Sequence, residues 1–126
     1  MLNIFLADRH TEVRSALQLL IEQQPTWQIC GQADNTLRLL AQLSQQCPQF
    51  LLLDAGLDGL PGVRRANSTE GLAELLTVIQ GLCPHTRVIV LSTAPETRQV
   101  ALDAGAKAYL SKNEPPEMLL DLLQQS

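Results

Sequence analysis

Short apolar runs alternate along this chain with stretches that carry the 3.6-residue periodicity of amphipathic helices. Each run is long enough for one buried strand, and Pro, Gly or polar residues separate it from the next helical stretch. The five runs are residues 2–8, 27–33, 50–54, 87–92 and 108–112. Strands separated by helices predict an α/β fold, in which a parallel sheet has helices on both faces.

The helical stretches have recognisable start and stop signals. Asp34 or Asn35 can cap the second helix, Gly105 is suited to end the fourth, and the pair Pro115-Pro116 opens the fifth. The predicted apolar faces, in chain order, are Val13, Ala16, Leu17, Leu20 and Ile21; Leu37, Leu40, Ala41 and Leu43; Leu72, Leu75, Leu76, Ile79 and Leu82; Val100, Ala101 and Ala104; and Met118, Leu119, Leu122 and Leu123.

Bulk composition fits one globular domain over residues 1–126. The chain has 126 residues, is 45% hydrophobic and carries a formal net charge of −4. This charge argues against nucleic-acid binding by the domain itself. No run has the roughly 20 apolar residues of a membrane span, and the N-terminus lacks a signal-peptide layout. We therefore expect no membrane association and a cytoplasmic protein.

The cysteines are Cys30, Cys47 and Cys83. Their number is odd, their spacing is wide, and no CxxC motif is present. We expect reduced thiols with a packing role rather than a disulfide framework.

Chemistry-bearing side chains stand where predicted strands end. Asp8 and Asp54 each close an apolar run, Ser92 closes the fourth strand and Lys112 the fifth. Ligands of open parallel sheets bind beyond the carboxyl ends of the strands. If the first and third strands are neighbours, both carboxylates share one pocket.

These residues lie in motifs that resemble the receiver domain of bacterial response regulators, most closely the NarL/FixJ-type subgroup. The motifs are Asp8-Arg9-His10, the run RVIVLS over 87–92 and the run GAKAYLSK over 105–112. The similarity covers essentially the whole chain. It implies a flavodoxin-like doubly wound (βα)5 sheet with strand order 2-1-3-4-5, in which the first and third strands are adjacent.

The resemblance implies phosphoryl transfer from a histidine kinase to Asp54, with Asp8, Asp54 and the backbone carbonyl of Gly56 as Mg²⁺ ligands. Lys112 matches the cation that binds the phosphoryl oxygens. Either Ser92 or Thr93 can be the switch hydroxyl, and the register favours Ser92. Tyr109 matches the aromatic that reports activation, on a face of the fourth helix, fifth strand and fifth helix that can form a homodimer. Chemistry beyond self-phosphorylation and dephosphorylation is not expected.

Arg9 departs from the family pattern, because such receivers usually have a second acid there. Asp8, Asp54, Arg9 and Lys112 sum to zero charge without an ion, so a divalent cation gains little by binding. We expect Arg9 to pair with Asp54 or Asp8 and to replace the metal. The alternative is a conventional phosphoacceptor that tolerates Arg9. A flavin-binding protein is a weaker alternative, because the chain lacks a phosphate-binding loop after the first strand and has few aromatic residues.

The stretch from Ala55 to Thr69 is long for a compact domain, and such loops are usually functional or mobile. It contains Arg64-Arg65, a candidate partner patch or simply a solvated pair. His10 is expected at the start of the first helix near the mouth of the pocket. His10 and His85 match no metal-ligand spacing and are expected at the surface or at caps. No output domain is expected within the chain: either one was removed or the natural protein is a stand-alone receiver.

Overall fold

The computed structural model describes residues 2–57 and 69–125, which form five strands and five helices in strict alternation. The strands are β1 (Leu2–Ala7), β2 (Trp27–Ala33), β3 (Phe50–Asp54), β4 (Arg87–Ser92) and β5 (Ala108–Ser111). The helices are α1 (Thr11–Glu22), α2 (Thr36–Leu43), α3 (Thr69–Leu82), α4 (Thr97–Asp103) and α5 (Pro116–Gln124).

All strand pairs are parallel, and the strand order is β2-β1-β3-β4-β5, which confirms the predicted topology. The central strand β3 is buried along its whole length, whereas β2 at the edge alternates between less and more exposed residues. This contrast explains why β3 is a continuous apolar run and β2 is not. The order places the C-terminal ends of β1 and β3 side by side.

Two hydrophobic clusters cover the two faces of the sheet. Alternate residues of β1 point to opposite faces, so that Ile4 and Leu6 join one cluster and Phe5 joins the other. The cluster of Phe5 contains the buried residues of α2, α3 and α4, and the cluster of Ile4 contains those of α1 and α5. The sheet is therefore the middle of three layers, and the C-terminal ends of its strands are left free for chemistry.

The predicted apolar face of α2 was wrong at Leu37 and Ala41, which are exposed, and was confirmed at Leu43, which is buried. Leu40 is partly buried and packs against the core. The helix buries Thr36, Leu39 and Leu43, while Leu37 is 61% exposed. Four leucines within eight residues allow more than one helical face, and packing against the sheet selects the one that meets the core. Leu82 of α3 and Met118 of α5, also predicted to be apolar-face residues, are 40% and 44% exposed.

Helix ends follow their predicted signals. The Asn35 side chain accepts a hydrogen bond from the Arg38 N–H at 2.9 Å, so Asn35 rather than Asp34 caps α2. Gly105 has a φ of 103°, a value that suits glycine after α4. Of the predicted 55–69 loop, Arg64 and Arg65 lie outside the described residues.

The prediction that the cysteines are reduced was wrong for two of them. Cys47 and Cys83 form a disulfide with a Cα–Cα distance of 5.6 Å, and Cys30 is free and exposed. Each paired cysteine precedes a proline and then one of the adjacent strands β3 and β4. The parallel pairing of these strands brings the two Cys-Pro turns together.

Within the described residues, no helix has the length and apolar character that crossing a bilayer requires.

Candidate functional site

Lys112 connects two buried carboxylates at the C-terminal edge of the sheet. Its Nζ donates to Asp8 Oδ2 at 2.9 Å and to Asp54 Oδ1 at 3.1 Å. Asp8 and Asp54 are 2% and 3% exposed, and the Lys112 side chain is 18% exposed. One cation therefore holds two carboxylates that would otherwise repel each other in a poorly solvated place.

Backbone N–H groups complete the stabilisation of these acids. Asp8 Oδ1 accepts the His10 N–H at 2.9 Å, and Asp54 Oδ1 accepts the Gly56 N–H at 2.9 Å. Both contacts run from an aspartate to the residue two positions later, in the short turns that follow β1 and β3. Arg14 of α1 stabilises the first turn, because its Nη1 donates a hydrogen bond to the Asp8 backbone carbonyl at 2.6 Å.

The second oxygen of Asp54 differs from the first. Asp54 Oδ2 is buried and has no hydrogen-bond partner in the described part of the chain. Arg9 Nε lies 3.9 Å from it, which is an ion pair rather than a hydrogen bond. The Arg9 guanidinium also lies over Gly56, since a Cβ built on that glycine would stand 2.9 Å from Arg9 Nη2. Arg9 thus covers both the candidate nucleophile and the turn that follows it.

His10 was not predicted to belong to this constellation. Its Nδ1 lies 3.5 Å from Asp8 Oδ1, and His10 occupies the N-cap position of α1 without a side-chain cap hydrogen bond. One ligand atom each from Asp8, His10 and Asp54 lie within 4.8 Å of one another. The expected place of His10 at the start of the first helix near the pocket is confirmed. Its grouping with both acids was not predicted, because the residues become neighbours only when β1 and β3 pair.

A network of hydroxyl groups leads from the site toward β5. Ser92 Oγ accepts the Ala94 N–H at 2.9 Å, and Thr97 Oγ1 lies 3.2 Å from Ser92 Oγ. The Ala94 carbonyl accepts from Thr97 Oγ1 at 2.7 Å and from the Tyr109 hydroxyl at 2.9 Å. Ser92 and Tyr109 are therefore connected through a single carbonyl and a single threonine.

Thr97 is a residue that sequence reasoning missed. It is 1% exposed and also lies 3.5 Å from the Tyr109 hydroxyl. Its position at the start of a short helix resembles an ordinary capping threonine, so the pattern carried no signal of its contacts. Thr93, the other candidate switch hydroxyl, is exposed, whereas Ser92 is buried. Both line the same cavity of about 480 Å³ together with Arg9, Asp54 and Lys112.

Comparison with known families identifies the family of the chain. The profile of the response regulator receiver domain matches residues 4–124, nearly the whole chain. The chain belongs to the response regulator receiver domain family. It is a signalling domain of the two-component type, and its relatives are of the NarL type.

Two curated relatives show the same subgroup. The chain is 30% identical over 128 residues to the uncharacterized transcriptional regulatory protein YhcZ of Bacillus subtilis, covering 98% of this chain and 54% of that protein. It is 29% identical over 125 residues to the nitrate/nitrite response regulator protein NarL of Escherichia coli, covering 98% and 53%. The chain thus spans about half the length of the curated relatives it matches.

Solved receiver structures have the same fold. The signal receiver domain of the putative response regulator NarL from Mycobacterium tuberculosis superposes with a TM-score of 0.75 at 21% identity, covering 99% of this chain and 98% of that one. The isolated receiver domain of RcsB from Salmonella enterica gives 0.82 at 21% identity, covering 99% and 89%. At this identity the likeness concerns the fold alone. The roles of Asp8, Asp54, Ser92, Lys112 and Tyr109 therefore stay predictions, although the fold brings their side chains to one region.

Proposed function

We propose that this receiver domain is atypical: Arg9 takes the place of a metal-site acid, Mg²⁺-dependent phosphorylation of Asp54 is impaired, and the domain signals through protein–protein contacts. It catalyses no reaction on a separate substrate, and its own chemistry extends at most to self-phosphorylation and dephosphorylation at Asp54.

The contact of Arg9 with Asp54 carries this proposal. Two unit charges separated by 3.9 Å attract by about 1 kcal/mol in water and by about 4 kcal/mol at an effective dielectric of 20. The Arg9 side chain is 43% exposed, so solvent screening keeps the ion pair nearer the lower value. The steric effect adds to the electrostatic one, because the guanidinium covers Gly56, whose carbonyl is the third candidate ligand.

The donor set fits Mg²⁺ poorly. Magnesium requires near-octahedral oxygen ligands, and replacing a carboxylate by a guanidinium removes one of them. The remaining acids already contact a cation, since Lys112 Nζ bonds both Asp8 and Asp54. Two acids and two bases leave no net negative charge among these four side chains. A divalent ion would therefore have to displace Arg9 to gain a favourable field.

Phosphorylation by a small phosphodonor tests the proposal. The protein is incubated with acetyl phosphate and Mg²⁺, and its intact mass is measured. We expect little adduct on the wild-type protein and a substantial adduct on Arg9→Asp. In the double variant Arg9→Asp/Asp54→Asn, the adduct should be lost.

The matched control is Arg38→Asp, which makes the same charge change on exposed α2, where Arg38 pairs with Asp34 at 3.4 Å. It should behave as the wild type does. A stoichiometric adduct on wild-type Asp54 would overturn the proposal. Calorimetric titration with MgCl₂ measures the metal separately, with weak or no uptake expected for the wild type and recovered uptake for Arg9→Asp.

One observation favours the alternative, a conventional receiver that is phosphorylated by a histidine kinase and controls a transcriptional output. Asp54 Oδ2 is a buried carboxylate oxygen without a hydrogen bond, which leaves it available as a nucleophile. The same mass measurement decides between the two functions, because only the conventional receiver predicts an efficient wild-type reaction. Impaired phosphorylation instead requires that partners recognise the unphosphorylated form.

We infer that the partners are a histidine kinase or another signalling protein, and a second copy of this chain. The candidate surface comprises Val100, Tyr109 and Met118, on α4, β5 and α5, of which Met118 is exposed and the other two are half-buried. Direct nucleic-acid binding by this domain is disfavoured by its net charge of −4. Transcriptional control, as the relatives' names state for those proteins, would then require a separate DNA-binding domain.

Substitution of Tyr109 tests this surface. Tyr109→Ala should lower the association measured by sedimentation equilibrium. Tyr109→Phe retains the ring and loses only the hydroxyl that bonds the Ala94 carbonyl, so it should associate as the wild type does. An unchanged mass average and unchanged kinase binding for Tyr109→Ala would exclude this surface.

A further inference from the structure

The disulfide between Cys47 and Cys83 lies at the opposite end of the sheet from the acidic site and has no part in the proposed phosphoryl chemistry. It joins the turn before β3 to the turn before β4, across a sequence separation of 36 residues. The enclosed segment contains β3, Asp54 and α3. A bond at this place therefore constrains the part of the chain that carries the candidate phosphoacceptor.

The two cysteines differ in their exposure to solvent. Cys47 is an exposed residue, whereas Cys83 is 1% exposed and belongs to the hydrophobic cluster beneath α2 and α3. From this difference we expect a small thiol or disulfide in solution to reach Cys47 and not Cys83. In such a pair the exposed cysteine can form a mixed disulfide and the buried one can resolve it.

Hydrogen-bond acceptors are present for the reduced state as well. Cys47 Sγ lies 3.5 Å from the Leu82 carbonyl, and Cys83 Sγ lies 3.6 Å from the Leu43 carbonyl. Leu43 and Leu82 are the last residues of α2 and α3, where helix carbonyls lack intrahelical partners. Two S–H groups at these positions would have acceptors, so we expect the fold to accommodate both the disulfide and the dithiol.

We propose that Cys47 and Cys83 form a reversible redox site that exchanges with low-molecular-weight disulfides and thiols through Cys47. In the oxidising direction, the Cys47 thiolate attacks a small disulfide such as oxidised glutathione, forming a mixed disulfide and releasing one small thiol. Cys83 loses its proton and attacks Cys47 Sγ, which releases the second small thiol. The protein loses two protons and two electrons, and the small disulfide accepts both electrons.

Redox buffers test the site in the folded protein. The variant Cys30→Ser removes the exposed free cysteine, which would otherwise form its own mixed disulfide. After equilibration at different ratios of reduced to oxidised glutathione, an acid quench and alkylation, the mass gives the number of free thiols. We expect both thiols to be labelled at the reducing end and none at the oxidising end, with the same curve from either direction.

Single variants in this background test the order of attack. In Cys83→Ser, oxidised glutathione should leave a stable adduct on Cys47, because no resolving thiol remains. In Cys47→Ser, the buried Cys83 should stay unmodified unless the protein is unfolded. Equal adduct formation on the two variants would contradict the assigned roles. A bond that never opens in the native protein, or thiols that never pair, would overturn the proposal itself.

The effect of the bond on the fold is measured by hydrogen exchange. Oxidation should slow exchange of the amides at the C-terminal ends of α2 and α3 by roughly tenfold or more, because the bond opposes their local opening. Amides of α1 and α5, on the other face of the sheet, supply the comparison and should change least. Equal exchange rates of these amides in the two redox states would show that the disulfide does not stabilise the layer formed by α2 and α3. The thiol labelling and the hydrogen exchange do not depend on whether Asp54 is phosphorylated.

Discussion

The two ends of the sheet are held together in different ways. At the C-terminal end, Lys112 and Arg9 hold Asp8 and Asp54 through ion pairs and hydrogen bonds. At the N-terminal end, a covalent bond joins the turns before β3 and β4. Ion pairs respond to a new charge, such as a phosphoryl group or a metal ion, whereas the covalent bond responds only to electron transfer. The same β3 thus connects an electrostatic site to a redox site.

The energies of the two ends also differ. A cross-link restricts the unfolded chain. Its contribution to global stability grows with the logarithm of the length of the enclosed loop. Partly exposed ion pairs contribute little to stability, and their main effect here is on which ligands bind. We therefore expect substitutions at the N-terminal end to change the free energy of unfolding most, and Arg9 substitutions to change ligand binding most.

The largest effect is expected at the disulfide. Cys47→Ser should lower the free energy of unfolding by about 3–4 kcal/mol under oxidising conditions, because the loop between cysteines with a sequence separation of 36 is no longer closed in the unfolded state. The melting temperature should fall by roughly 10 °C. Cys30→Ser is the control and should change stability little. Identical urea midpoints for the wild type with and without dithiothreitol would contradict the comparison.

The next effect is expected at Lys112. Lys112→Met should lower the free energy of unfolding at pH 7 by about 2–3 kcal/mol, since it leaves two buried carboxylates without their shared cation. Adding Asp54→Asn to this variant should recover part of the loss, because one charge remains instead of two. Chemical denaturation of the single and double variants measures the coupling. A double variant less stable than Lys112→Met would show that Lys112 does not act by balancing these charges.

A smaller effect is expected at Thr97. Thr97→Val retains the shape and removes the hydroxyl that bonds the Ala94 carbonyl and approaches Ser92, at a cost of about 1–2 kcal/mol. Thr97→Ser retains the hydroxyl and should recover most of the loss. The ring-flip rate and chemical shifts of Tyr109, measured by NMR, should change in the valine variant only. Equal spectra for the two variants would remove Thr97 from the connection between Ser92 and Tyr109.

The smallest effect on stability is expected at Arg9. Arg9→Gln should change the free energy of unfolding by less than about 1 kcal/mol, because its ion pair is long and partly solvated. Its Mg²⁺ affinity, measured by calorimetry, should nevertheless rise above that of the wild type. A large loss of stability without a gain in affinity would assign Arg9 a structural role instead of a role in metal selection.

Much of the fold followed from the sequence because its signals are local. The limits of β2, β3 and β4, the cap at Asn35 and the glycine after α4 were predictable from the residues at those positions. The apolar face of α2 was predictable only in part, since its leucines allow more than one face and only the sheet selects between them. For the candidate site, strand-end positions predicted Asp8, Asp54, Ser92 and Lys112, whereas Thr97 and the grouping of His10 with both acids became visible only through their contacts.

The sequence alone determined the alternation of strands and helices, the acids at the strand ends and the exceptional Arg9, because each depends on residue type and spacing along the chain. The tertiary structure decided which groups meet: Arg9 with Asp54, Thr97 with Ser92, and Cys47 with Cys83. Parallel pairing of β3 with its neighbours β1 and β4 brings turns that are distant in sequence to the same edge of the sheet, and no local pattern records that proximity.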